Sequence, residues 1–221
     1  MAGTTKRGLN TVNTALTGLA IIVLVFSVCS MIIVKIMYDR QFRRSDKPKS
    51  SGYLRYGDID GYDREVVTFK SGNNTLVGYI YGEENDKGLI VIAHGLGAGA
   101  ESYLAETRYF VDNGWRVFSF DCTGSHESEG KGTIGLAQSV LDLDSALNYI
   151  GSDGRLHGLP MMLYGHSWGG YAVAAVLNYG HDIAAAASIA GFNAPMEILF
   201  EQAKKMMGAF ANESECRLQD L

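Results

Sequence analysis

MMLYGHSWGGYAVAAVL, residues 161–177, decides how the rest of the chain is read. Four apolar residues run into Gly165-His166-Ser167-Trp168-Gly169, and the Ala- and Val-rich segment that follows reads as a helix. Gly-x-Ser-x-Gly between a strand and a helix is the pattern of a tight turn that lifts a serine hydroxyl clear of a sheet. Gly165 and Gly169 belong to that pattern because larger side chains would clash there. The helix N-terminus after Ser167 adds partial positive charge where an oxyanion would form. In a chain with 27 glycines the pentapeptide alone means little, and the alternative is an ordinary glycine-rich turn; the flanking strand and helix give it meaning.

Working outward, LIVIA (89–93), WRVFSF (115–120) and AAAASI (184–189) are short apolar runs, as strands buried on both faces would be. Helix-length segments separate them. Residues 100–112 stop at Asn113-Gly114, a helix end. Residues 134–149 begin a helix that places Leu136, Val140, Leu143, Leu147 and Ile150 at helical spacing, with Asp142 and Asp144 among its polar positions. Residues 168–179 follow the serine. Strands and helices alternating in this way predict right-handed βαβ units and a mostly parallel sheet. Ahead of them, residues 65–70 and 75–81 flank Ser71-Gly72-Asn73-Asn74 and predict an antiparallel hairpin.

Two further stretches follow predicted strands: His94-Gly95-Leu96-Gly97 after LIVIA, and Asp121-Cys122-Thr123-Gly124-Ser125-His126-Glu127-Ser128-Glu129-Gly130 after WRVFSF. Together with Gly165-His166-Ser167-Trp168-Gly169-Gly170 they resemble α/β-hydrolases of the serine aminopeptidase and monoacylglycerol-lipase type, over residues 65–191. The resemblance implies the α/β-hydrolase fold and a serine hydrolase acting on esters or peptides through Ser167, with no metal or organic cofactor. It also implies an oxyanion hole made by the N–H groups of Leu96 and Trp168. His94 and Gly95 then shape the turn, Asp121 holds the turn after its strand by local hydrogen bonds, and His166 packs away from the site. His126 stands where the family has glycine; it is expected as a solvated loop histidine, with a role as base the alternative.

In this fold the acid and then the base follow the serine on loops after later strands. No histidine occurs after His181, so the C-terminal strands and both partners are missing from the expected architecture. Residues 192–210 start a lid or a core-packing helix, with Met196, Leu199, Phe200, Ala203, Met207 and Phe210 on one face. Three readings follow: part of a longer product, a catalytically inactive membrane-tethered interaction module, or an enzyme that recruits His126.

The 221 residues allow one domain and an appendage. A net charge of −5 without a basic helix stripe excludes the footprint of a nucleic-acid binder. Cys29, Cys122 and Cys216 have neither metal-ligand spacing nor a disulfide pattern. Residues 15–34 (ALTGLAIIVLVFSVCSMIIV) carry no charge and match the length of a transmembrane helix; the run is longer than the apolar core of a signal peptide and no cleavage site follows. Lys6 and Arg7 precede the run, whereas Lys35, Arg40, Arg43, Arg44, Lys47 and Lys49 follow it, which favours a cytoplasmic C-terminal side and contact with anionic lipid headgroups. The expected organisation is an anchor at 1–38, a juxtamembrane linker at 39–62 and a hydrolase domain at 63–221. The partners are membrane lipids and a small-molecule or lipid-like ester.

Overall fold

The computed structural model describes residues 2–194 together with Glu197, Phe200, Glu201 and Lys204. The chain divides into two compact units, Met1–Arg43 and Arg44–Leu221. The first is a single helix, α1 (Ala2–Gln41), whose stretch Asn13–Gln41 contains an 18-residue window of mean hydropathy 2.8 and is long and apolar enough to cross a membrane.

In the second unit, β1 (Arg64–Ser71) and β2 (Asn74–Tyr81) form the antiparallel hairpin. Its two-residue loop places Gly72 at φ +55°, a conformation that favours glycine. There follow β3 (Leu89–Ala93), α2 (Leu104–Asp112), β4 (Arg116–Phe120), α3 (Gln138–Ser152), β5 (Met161–His166), α4 (Trp168–Ala175) and β6 (Ala185–Ile189). The sheet order is β1-β2-β4-β3-β5-β6, with β2 antiparallel to β4 and the last four strands mutually parallel. The C-terminal ends of β3, β4, β5 and β6 therefore share one edge, where ligands bind in open sheets of this kind.

The uninterrupted apolar run of β3 follows from its central place. Leu89, Val91 and Ala93 enter the core shared with α3 and α4, while Ile90 and Ile92 enter the one shared with the 3-10 turn Ala100–Tyr103 and the start of α2. β6 differs from the expectation of a strand covered on both faces. It pairs with β5 alone among the described residues, and Ala185, Ala186, Ser188 and Ile189 are exposed. α3 also begins later than expected, because Ile134 at φ +51° and Gly135 at φ +98° turn the chain before Gln138. Of the apolar face expected after residue 192, Met196, Leu199, Ala203, Met207 and Phe210 lie outside the described residues.

Polar composition marks residues 39–62 as a linker, yet the stretch from Arg44 onward is bonded into the second unit. Ser45 donates its N–H to Gly124 O (2.9 Å), accepts from the His126 N–H (2.7 Å) and donates its hydroxyl to Gly97 O (2.8 Å). The Arg44 guanidinium donates to the carbonyls of Ser128 (2.8 Å), Gly130 (3.0 Å) and His126. Ile59 is buried against Tyr79 and Tyr81. A planar fork satisfying three carbonyls has no equivalent in lysine. Arg44→Ala and Arg44→Lys should both accelerate amide exchange over residues 124–130 by about tenfold and leave β3 and β5 unchanged, read by hydrogen-exchange mass spectrometry.

Candidate active site

Ser167 connects β5 directly to α4, with no loop between them. To make that reversal its backbone takes φ +53°, ψ −111°, a strained conformation for a residue with a side chain. Two bonds hold it there: the Ser167 N–H donates to Ile189 O (2.8 Å), and Ser167 O accepts from the Tyr171 N–H (3.0 Å). The glycines around it are required by contact. A Cβ at Gly165 would lie 2.2 Å from Gly169 O, and one at Gly169 would lie 2.0 Å from Ala93 O. A Cβ at Gly170 would lie 2.8 Å from Gly191 Cα, so the elbow is also pressed against the chain leaving β6. Ser167 is partly exposed, and its hydroxyl makes no hydrogen bond among the described residues.

The turn after β3 lies beside this elbow. His94 is fully buried; its Nδ1–H donates to Gly95 O (2.8 Å) and its Nε2 accepts from the Cys122 N–H (2.9 Å), joining the turns that follow β3 and β4. Burial pushes the imidazole pKa down, which keeps the ring in the neutral tautomer that this pair of bonds needs. Its ring meets the indole of Trp168 edge-on, and that indole donates to Leu136 O (2.7 Å). Among the described residues the backbone N–H groups of Leu96 and Trp168 donate to no protein acceptor. The structure thus brings His94, Gly95, Leu96, Gly165, Ser167, Trp168 and Gly169 to one edge of the sheet.

The loop after β4 completes that edge. Asp121 Oδ1 accepts from the Ala100 N–H (2.7 Å), and Oδ2 accepts from Tyr79 Oη–H (3.0 Å) and the Glu127 N–H (3.2 Å). Glu127 is held below the usual carboxylate range by the Lys47 ammonium at 2.9 Å. His126 corrects the expectation of a solvated loop residue. It is buried, touching Gly99 and meeting the Tyr53 ring edge-on, and Arg44 and Ser45 engage its backbone. Burial lowers its pKa, opposed by the charge of Asp121. Neither ring nitrogen has a hydrogen-bond partner among the described residues, so no hydrogen bond joins the ring to Ser167. Its cover comes from residues about 80 positions earlier, which no local pattern signals.

The last histidine of the sequence, His181, pairs through Nε2 with Asp144 (2.7 Å). It follows α4 and the 3-10 turn Val176–Tyr179, at the end of the helix away from Ser167. A helical rise of about 1.5 Å per residue puts it on the order of 20 Å away, out of reach of the hydroxyl. A groove of about 630 Å³, lined by Asp60, Asp63, Glu83, Glu84 and Asp112, also lies away from the site, where Tyr81 ends β2. No group of three or more His, Cys, Asp or Glu is placed to hold a metal among the described residues.

Two side chains at the site escaped sequence reasoning. Asp142, expected on the polar face of α3, is fully buried and accepts from Ser71 Oγ–H (2.6 Å), the Thr123 N–H (2.7 Å), Thr123 Oγ1–H (2.9 Å) and Gln138 Nε2–H (2.8 Å). Tyr103 reaches under the His94 turn, accepting from the Gly95 N–H (3.0 Å) and bonding His166 Nδ1 (2.9 Å). His166 is therefore tied to the turn after β3.

Residues 84–219 match the family described as serine aminopeptidase, S33. An esterase of Pyrococcus furiosus superposes with a TM-score of 0.61 at 18% identity, covering 73% of this chain and 64% of that one. In another crystal form of the same esterase the score is 0.57 at 19% identity, with 68% and 57% covered. A protein of Thermus thermophilus gives 0.51 at 23% identity, with 62% and 59% covered. The chain thus spans less than two thirds of the length of these relatives. No curated protein sequence matches it. The family match takes in the strand before each of the three turns and most of the sheet, and the solved relatives share the same α/β-hydrolase fold: the chain belongs to the serine aminopeptidase S33 family.

Proposed function

We propose that the protein is a membrane-anchored serine hydrolase that cleaves carboxylic esters through an acyl-enzyme on Ser167. The observation that carries this reading is the strained backbone of Ser167, φ +53° and ψ −111°, at a strand-to-helix reversal where its hydroxyl makes no hydrogen bond among the described residues. A backbone strain of roughly 1–3 kcal/mol is maintained only where the surroundings over-determine it, and such strain clusters at functional sites. Ser167 Oγ attacks the ester carbonyl carbon and loses its proton to a base. The bond to the alcohol oxygen then breaks, the alcohol leaves with a proton, and water releases the acid and restores the hydroxyl. The N–H groups of Leu96 and Trp168 receive the oxyanion, each contributing about 3 kcal/mol if preorganised.

The described residues supply no base for this step. In this fold the acid and base come from loops after later strands. Residues 1–38 act as the anchor, and the excess of Lys35, Arg40, Arg43, Arg44, Lys47 and Lys49 over Lys6 and Arg7 favours the cytoplasmic side for the hydrolase unit. An anchored enzyme meets its substrates at the bilayer surface, which favours lipid-like esters; the family description keeps small peptides as the second substrate class.

The test is turnover of p-nitrophenyl esters of increasing acyl length, beside aminoacyl anilides, by the detergent-solubilised full-length protein and Ser167→Ala. Ester turnover that rises with acyl length and falls to background in the variant is expected. Equal background rates from two folded proteins would refute it and leave a tethered interaction module; faster anilide turnover would move the substrate class to peptides.

A further inference from the structure

An oxyanion pocket built from Leu96 and Trp168 draws its two donors from the turns that leave the paired strands β3 and β5, beyond the last ladder pair Ala93–Gly165. A displacement of about 1 Å between them is enough to lower catalysis a hundredfold. Backbone contact supplies part of the registration, through the approach of Gly169 to Ala93 O. One side chain bridges the two segments by hydrogen bonds. Tyr103 closes the 3-10 turn Ala100–Tyr103, whose first N–H is held by Asp121 Oδ1 (2.7 Å). Its ring is buried with Ile92, Ala100 and Leu104 beneath the turn.

From there the phenol oxygen accepts the Gly95 N–H at 3.0 Å and lies 2.9 Å from His166 Nδ1. Burial raises the Tyr103 pKa, with the Gly95 bond pulling the other way, so the hydroxyl keeps its proton beside Nδ1. Gly95 and His166 immediately precede Leu96 and Ser167. A Cβ at Gly95 would lie 3.3 Å from both the Tyr103 hydroxyl and His166 Nδ1, so glycine is what lets the turn approach this bridge.

We propose that Tyr103 is a positioning residue of this site, its hydroxyl locking the turn that carries Leu96 to the elbow that carries Ser167 and Trp168. The proposal rests on Ser167 being the nucleophile. Tyr103→Phe keeps the ring and removes only the bridge. In the full-length protein it should speed amide exchange at residues 94–97 about tenfold, the loss of roughly one hydrogen bond. The His166 Nδ1 nitrogen-15 resonance should shift, with the melting temperature nearly unchanged. The limiting rate of fluorophosphonate labelling at Ser167 should fall at least about tenfold at an unchanged half-saturating concentration. His166→Phe, which removes Nδ1, should slow labelling likewise, and His166→Asn, whose side-chain oxygen falls near the place of Nδ1, should recover most of the rate.

Unchanged exchange at 94–97 in Tyr103→Phe, or faster exchange with undiminished labelling, would overturn the assignment. If that variant fails to fold, the His166 pair decides, equal rates in Asn and Phe counting against the bridge. A wild-type protein that does not label refutes the nucleophile itself; the exchange and nitrogen-15 results then decide the bridge alone.

Discussion

Alanine at position 169 should remove a large part of the stability of the fold. Gly169 sits in the first turn of α4, where alanine is favoured over glycine by about 1 kcal/mol on helix propensity. Contact decides the other way. The added Cβ would lie 2.0 Å from Ala93 O and 2.9 Å from His94 O, both backbone atoms. Ala93 ends the strand held between β4 and β5 and is paired with Gly165, so neither side can withdraw without breaking the sheet or the elbow. Overpacking against fixed backbone costs on the order of 4 kcal/mol here, a large part of the 5–15 kcal/mol that stabilises a typical domain. Gly151→Ala is the matched comparison. It lies in α3 with nothing within 4 Å of its Cβ position, and alanine there should stabilise by roughly 0.5–1 kcal/mol. Yield of folded protein and thermal denaturation of the two variants check both signs.

Asp142→Ala should be the next most damaging change. Its carboxylate joins the end of β1 through Ser71, the loop after β4 through both donors of Thr123, and its own helix through Gln138. Removing it leaves four donors without their acceptor; those of Ser71 and Thr123 are buried, and the Thr123 N–H cannot rotate away. Buried donors left unsatisfied cost about 1–3 kcal/mol each, so the change costs about 3–5 kcal/mol. For a unit of this size that is a fall in melting temperature of about 6–20 °C. Asp142→Asn keeps one acceptor oxygen but turns an amide N–H₂ toward donors, so it should fall between wild type and alanine. An Asp142→Ala protein that melts with the wild type would show that water, and not the carboxylate, satisfies these donors.

The legible parts of the fold were those written in short-range patterns. LIVIA, WRVFSF and MMLY read as strands because each must face two cores, and the Gly-x-Ser-x-Gly turn read correctly as a strand-to-helix junction. Positions whose environment comes from distant chain were misjudged. Asp142 fits the polar spacing of an amphipathic α3, but the hairpin covers that position and supplies Ser71. His126 occupies a loop, where histidine is usually solvated, and is covered by a segment whose polar composition suggested a linker. β6 reads like its neighbours in composition, and only its pairing explains its exposure. Tyr103 gave no sign of itself, since a lone tyrosine at the start of a helix is most simply a core residue.

The central claim is that Ser167 is a nucleophile activated within this fold, and intact-mass and peptide analysis after fluorophosphonate treatment tests it most directly. A serine hydroxyl reacts with such a probe at a useful rate only when a base takes its proton and an oxyanion pocket receives the charge. The full-length protein should gain one adduct, on the peptide that contains Ser167, and Ser167→Ala should gain none. A folded full-length protein that remains unmodified, or one modified on another serine in both forms, would contradict the account.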